Sequence, residues 1–302
     1  MKKVLGVSLG SSTRDHKVVV EVLGEKVEIE RRGTDGDVKK MMQIFQENDG
    51  KVDVFSLGGT DLYLYSGPHG KRYTIRESEK IVSVIKKTPI VDGTGIKYVL
   101  EKSVVKYIDK QTDINLKGKK ALVTITVDRF GMAEGLIEAE CEMTFGDLMF
   151  GLNIPIAMHS FKTINIFARL LLPILVYVPI KYLYPTGEKQ EKSNLKYVKY
   201  FYDADIIAGD YLAISQYMPK DMEGKIVITN TVTSSNVEDL KKRGVNYLIT
   251  TTPEFEGRSF GTNVFQATLA AISGKSPEEL QPEDYLKLIE KTGFKPRIEK
   301  LN

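Results

Sequence analysis

"ALVTITVDRFGMAEG", residues 121–135, decides how the chain is read. Its first seven residues are a run of β-branched and apolar side chains with no polar alternation. Such a run forms a strand buried on both faces. Met132 and the residues after it read as the start of a helix. The same kind of run returns at "ADIIAGD" (204–210), "KIVITNT" (225–231) and "NYLITTT" (246–252), with helical stretches between. Buried strands alternating with helices predict a parallel sheet covered on both faces.

Working back towards the N-terminus, the pattern differs. A strand is expected over 3–9 and a hairpin over 17–32 around Gly24. A helix over 37–49 is capped by Asp37 and has apolar residues at Val38, Met41, Met42 and Phe45. A strand (52–57), a short hairpin (62–75), a helix (78–87), a strand (89–92) and a longer helix (96–108) follow. The stretch "DKQTDINLKGKK" (109–120) is polar and without apolar period. The expected architecture is α/β throughout. An N-terminal mixed α/β domain (1–112) is followed by a Rossmann-like, doubly wound parallel-sheet domain (113–302), with a C-terminal helix at 261–274 returning toward the first.

Bulk composition limits the function classes. The 302 residues are 42% hydrophobic and 27% charged, with a net charge of +3. That is a globular profile, and no basic block suggests a nucleic-acid footprint. A single cysteine, Cys141, precludes an internal disulfide and fits a cytoplasmic location. With three scattered histidines, no metal site is expected. The N-terminal "MKKVLGVSLGSS" reads as a first strand rather than a signal peptide. The apolar run "LLLPILVYVPI" (170–180) is shorter than the roughly 20 residues of a membrane span and holds Pro173 and Pro179. It is expected to be a buried core segment, with membrane-surface contact as the other reading.

Ligands of parallel α/β sheets bind at the carboxyl ends of the strands. The turn Asp128–Arg129–Phe130–Gly131 stands where a dinucleotide fold places its glycine-rich loop. It is either a shortened cofactor turn or a plain strand-to-helix turn. In the first case Gly131 admits the backbone of a cofactor, amides from Met132 onward face its pyrophosphate, and Arg129 offsets Asp128. Asp147, nineteen residues beyond Asp128, would then meet the ribose, favouring NAD over NADP. "GVSLG" (6–10) matches G-x-S-x-G, but on a first strand with no ordered acid and histidine it is not a nucleophile elbow.

Other polar clusters stand at strand ends. "TTPEFEGRSFGTN" (251–263) offers Arg258 as an anion clamp, with Ser259 and Thr262 as hydroxyl donors. Asp92 and Lys97 in "TPIVDGTGIK" (88–97), with Asp61 in "SLGGTDLY" (56–63), are candidates for moving a substrate proton. The role of "LYPTGEKQ" (183–190) is open.

The stretches "RRGTDGD", "TPIVDGTGIK", "DRFGMAEG", "LYPTGEKQ", "IAGDY" and "TTTPEFEGRSFGTNVFQA" resemble bacterial proteins labelled quinate 5-dehydrogenase, over nearly the whole chain. Similarity to shikimate and quinate dehydrogenases is more distant. There Gln266, in a G-x-x-x-x-Q-A helix, implies a substrate contact, and Ser8 and Ser11 partly match the N-terminal substrate serines. The resemblance implies hydride transfer between NAD or NADP and a hydroxylated carboxylic acid. Lys97, a candidate by role only because the family's catalytic lysine lies in a different local motif, and Asp92 would be catalytic; residues 128–132, with "VDRFG" in place of the family's glycine-rich loop, Asp147 and Thr231 would bind the cofactor. The partners implied are a small acidic substrate and, in a homodimer, a second copy; no nucleic acid and no membrane span are expected. The alternative is a non-redox binding protein or transferase for a phosphorylated or acidic metabolite.

Overall fold

A computed structural model describes residues 1–68, 70–183, 194–252, 254–255, 258–259 and 261–302; of residues 183, 254, 255, 258 and 259 only the backbone is described. In the N-terminal half the chain runs through β1 (Lys2–Ser8), β2 (His16–Val22), β3 (Glu25–Gly33), α1 (Val38–Asn48), β4 (Val54–Gly58), β5 (Tyr63–Tyr65), β6 (Arg72–Thr74), α2 (Arg76–Val82), β7 (Ile90–Val91) and α3 (Thr94–Gln111). β2 and β3 form a hairpin because Leu23 and Gly24 both take positive φ, +54° and +81°, the backbone of a two-residue turn whose twist matches the strands. The side chain of Asp37 caps α1 by accepting from the Lys40 amide.

The second half contains β8 (Lys120–Val123), α4 (Phe130–Glu138), β9 (Glu142–Phe145), α5 (Phe161–Leu175), α6 (Ile180–Leu183), α7 (Val198–Asp203), β10 (Ile206–Ala208), α8 (Tyr211–Tyr217), β11 (Ile226–Thr229), α9 (Ser234–Lys242), β12 (Tyr247–Thr250), the small pair β13 (Glu254–Phe255) and β14 (Arg258–Ser259), α10 (Thr262–Ser273), α11 (Pro282–Lys291) and β15 (Arg297–Lys300). The fold class is α/β, with a parallel sheet in each half.

The sheet orders are β2-β3-β1-β4-β7 and β15-β12-β11-β10-β8-β9. Within these two sheets the edge strands β2 and β15 are the antiparallel ones, and β5 with β6 and β13 with β14 form separate antiparallel pairs. Counting the parallel strands by their place in each half, both sheets share the order 2-1-3-4, extended by a fifth strand in the second. Each therefore reverses direction beside its first strand, between β1 and β4 and between β8 and β10. Those are the places where a crevice opens outside the carboxyl ends of the strands.

Two helices tie the halves together. α3 buries Ile96 and Leu100 in the core of the first half, and Val104, Val105 and Ile108 in a core of the second. α10 returns from β12 to the first sheet, where Val264, Phe265 and Leu269 share a core with Val4, Val27 and Ile29.

Two expectations change. The strand foreseen over 121–127 ends at Val123, and Thr126–Asp128 form a 3-10 turn. The Asp147 carboxylate bends the chain there by accepting from the Val127 amide at 2.9 Å. The apolar run is only half core: Leu172, Val176 and Ile180 are buried, whereas Leu170 and Ile174 are each 66% exposed. Helical geometry explains the split, since residues three and four apart share a face and the others turn outward. No helix among the described residues is long and apolar enough to cross a membrane.

Candidate functional site

The carboxyl ends of both sheets border one cleft of about 1330 Å³. The first half contributes the ends of β1 and β4, the second the ends of β8, β10 and β11. Gly209, with φ +148°, lets the end of β10 close on Thr124, the residue just past the neighbouring strand β8, and its conformation is one that other residues rarely adopt.

A chain of charges runs along this cleft. Lys97, in the first turn of α3, donates to Asp128 at 2.6 Å and to Asp61 at 3.3 Å. Arg129 then holds three carboxylates: Glu101 at 2.6 Å, Asp128 at 3.0 Å and Asp210 at 2.9 Å. Asn230 extends the chain by donating to Asp210 at 2.7 Å. Four carboxylates thus share two cations. The Arg129 and Glu101 side chains are 5% and 1% exposed.

Burial opposes ionisation of Asp61, Glu101 and Asp128, and the cations decide which of these three ionise. Asp61 is pushed up to about 7 because burial, with help from Asp128 and Asp92, outweighs Lys97. Burial also raises Glu101 despite Arg129. For Asp128 the order reverses: burial raises its carboxyl, but Arg129 and Lys97 together hold it below the usual range. The same carboxylates keep Lys97 and Arg129 protonated against their own burial. Both cations are occupied by the protein, and the cleft wall is left rich in acceptors.

Residues 95–301 match the family profile described as "Domain of unknown function (DUF8754)", and residues 3–92 match "Domain of unknown function (DUF8753)". The chain belongs to the DUF8754 family. A comparison with curated proteins gave no match. Among solved structures, this DUF8754 chain is similar to an ABC transporter solute-binding protein from Burkholderia multivorans, at 11% identity over 93% of this chain and 96% of that one, with a TM-score of 0.37. A periplasmic solute-binding protein from Actinobacillus succinogenes with bound D-allose matches at 9% identity over 99% and 96%, with a TM-score of 0.35. GanP, a glucose-galactose binding protein from Geobacillus stearothermophilus, matches at 9% identity over 99% and 97%, with a TM-score of 0.37.

The quinate dehydrogenase resemblance is corrected by these findings. The family matched over residues 95–301 is DUF8754, and no comparison returned a dehydrogenase among the matches reported above. The reading as an oxidoreductase using NAD or NADP goes with it, and the turn itself gives the physical reason. Gly131 serves helix packing: a side chain there would overlap the Tyr98 carbonyl of α3. Met132 is wholly buried, and Phe130 lies edge-on to Phe161 at 5.9 Å. The amides of Val127 and Arg129 are spent on Asp147 and the Thr126 carbonyl. One Asp147 oxygen holds the Val127 amide of this turn, while Asp128 and Arg129 belong to the charge chain. Of the cofactor set, Asp128, Arg129, Asp147 and Thr231 line the cleft, the Thr231 hydroxyl lying 3.4 Å from that of Thr252.

The remaining candidates divide. Ser8, Asp61, Asp92, Lys97 and Thr262 border the cleft. Lys97 and Asp92 do not form a pair. One Asp92 oxygen accepts from the amides of Leu62 and Tyr63, and the other from the amide and hydroxyl of Thr94. Asp92 therefore fixes the loop that carries Asp61. Ser11 bonds the Thr13 hydroxyl at 2.8 Å within its own turn. Gln266 is buried away from the cleft: it accepts from the Gly93 amide at 2.8 Å and donates to the Tyr285 hydroxyl at 3.3 Å. The side chains of Arg258 and Ser259, and residues 184–190 of "LYPTGEKQ", lie outside the described residues. Among the described residues no cluster of His, Cys, Asp and Glu could hold a metal ion.

Glu101, Asp210 and Asn230 were not anticipated. Glu101 does leave a trace, standing four residues after Lys97 beside the apolar face of Leu100, Val104 and Val105. Asp210 sits where a buried strand ends and a helix is capped.

Proposed function

We propose that this DUF8754 protein binds a small polyhydroxylated molecule in the cleft between its sheets and performs no redox step. The binding unit is a first domain over residues 1–112 and a second over 113–302, with α10 and α11 returned to the first. The observation that carries this reading is the acceptor-rich wall of Asp61, Asp128 and Asp210 at the switch points of the sheets. Their cation partners are already engaged, so what the wall offers a ligand is oxygen that accepts. Hydroxyl groups are donors of the right kind, and hydrogen bonds to an ionised acceptor such as Asp128 are the stronger sort. Asn230 and Thr231 add groups that both donate and accept. A sugar or other polyol matches this lining without any bond being made or broken.

The test is a thermal-shift and calorimetric panel of neutral sugars, polyols, NAD and NADP. A ligand at about 100 times its Kd stabilises the native state by about 2.7 kcal/mol. At least one polyol is expected to raise Tm, less so in Asp210→Asn, with no response to NAD or NADP. A panel in which no polyol raises Tm overturns the reading.

A further inference from the structure

Beyond the acceptor wall, the cleft has a second end of opposite character. β1 finishes at Ser8, and the next residues turn sharply, with the Gly10 amide donating to the Ser8 hydroxyl at 3.1 Å. Two guanidinium groups converge on this turn. Nη2 of Arg14 and Nη2 of Arg31 lie 2.7 and 3.2 Å from the point a Cβ would occupy on Gly10. A side chain at position 10 would displace the Arg14 guanidinium and crowd that of Arg31, so the glycine leaves the space between them open.

The charges at this corner are only partly neutralised within the protein. Arg31 uses Nη1 on the Ser11 carbonyl at 3.0 Å and on Asp15 at 2.8 Å. Asp15 is shared with the Gly33 amide, and Asp35 accepts from the Ser12 amide. Arg14 has no ion pair or side-chain hydrogen bond among the described residues. Burial and the neighbouring Arg14 both weaken the hold of Arg31 on its proton. Two like charges beside one glycine, with both Nη2 groups unused, form a site for an oxyanion, which a guanidinium binds through paired N–H donors. Gly59 packs onto Gly10 and leads within two residues to Asp61, so the basic corner and the acceptor wall are two ends of one cleft.

We propose that Arg14 and Arg31 bind an oxyanion, phosphate or carboxylate, carried by the ligand of this cleft. The ligand then carries an acidic group in addition to the hydroxyls by which neutral polyols also bind; this part rests on the binding reading above, whereas the oxyanion site stands on its own geometry.

The test titrates inorganic phosphate, and separately acetate, into nitrogen-15-labelled protein. Saturable shifts of the Gly10 and Thr13 amides are expected with at least one of them. A response to phosphate alone identifies a phosphoryl group, and a response to acetate alone a carboxylate. Arg14→Ala should weaken the apparent Kd by roughly tenfold or more, with Arg14→Lys falling between. Arg31→Gln should weaken it too, but Arg31 also holds the Ser11 turn, so Arg14→Ala, on an exposed side chain, keeps the test independent of folding. Absence of shifts with both anions, or equal affinity in Arg14→Ala, overturns the site. The neutral polyol panel on the same proteins separates the two claims: polyol binding with silent anions removes only the oxyanion site, and anion binding without any polyol response removes only the polyol reading.

Discussion

Glu101 has one oxygen on Arg129 and the other without a hydrogen-bond partner among the described residues. Removing the guanidinium in Arg129→Met strands a buried carboxylate, which typically costs about 3–5 kcal/mol. Urea unfolding should show a loss of that order near pH 8 and a smaller one near pH 5, because burial already favours the protonated acid. Asp61 gives a second pH signature. Its carboxyl is raised from 3.8 to about 7, so the folded chain binds a proton that the unfolded chain releases across that window. Its contribution to stability is fully present below pH 3.8 and fades as pH rises through 7. Asp61→Asn removes this dependence, so the variant should gain on the parent as pH rises from about 4 to 8, measured by denaturant midpoints. An unchanged difference across that range would show that Asp61 ionises normally. Little of this was legible in the sequence. Arg129 was recognisable as a turn residue facing a strand end, but its partners Glu101 and Asp210 are 28 and 81 positions away. Only strand order brings them together, and spacing along the chain does not encode it.

At the scale of elements, the glycines of "FGMAEG" set how closely α4 approaches α3. A Cβ on Gly131 would overlap the Tyr98 carbonyl, and one on Gly135 would come within 2.8 Å of the Val105 side chain. Backbone cannot step aside as a side chain can. Gly131→Ala should therefore cost about 1–3 kcal/mol in thermal or denaturant unfolding. Gly135→Ala should cost less, since Val105 has somewhere to move and alanine recovers about 1 kcal/mol of helix propensity. A neutral Gly131→Ala would mean that the two helices slide apart freely. The buried strands β8, β10, β11 and β12 were readable because continuous β-branched runs have few other uses. The early end of β8 was not, because it depends on Asp147 reaching back to the Val127 amide across twenty residues. The outward face of α5 was likewise hidden: the run around Pro173 is apolar on all sides, and only its neighbours determine which half is covered.

At the scale of the whole molecule, α3 and α10 each contribute side chains that join one half to the other. Residues 3–92 and 95–301 match separate family profiles, yet the junction between them falls at the start of a helix whose first turns lie in the first core. Calorimetry should accordingly show one cooperative transition, with the calorimetric and van't Hoff enthalpies equal. Two resolved transitions would show that the halves melt independently. The shared helix also governs how a ligand enters and leaves. Lys97 reaches Asp61 on one wall and Asp128 on the other from a single turn of α3. The walls are thus held at a set spacing before anything binds, and entry requires no prior rearrangement. In stopped-flow mixing, the observed association rate should rise linearly with ligand concentration and reach no plateau, and differences in affinity among related ligands should appear almost wholly in their residence times.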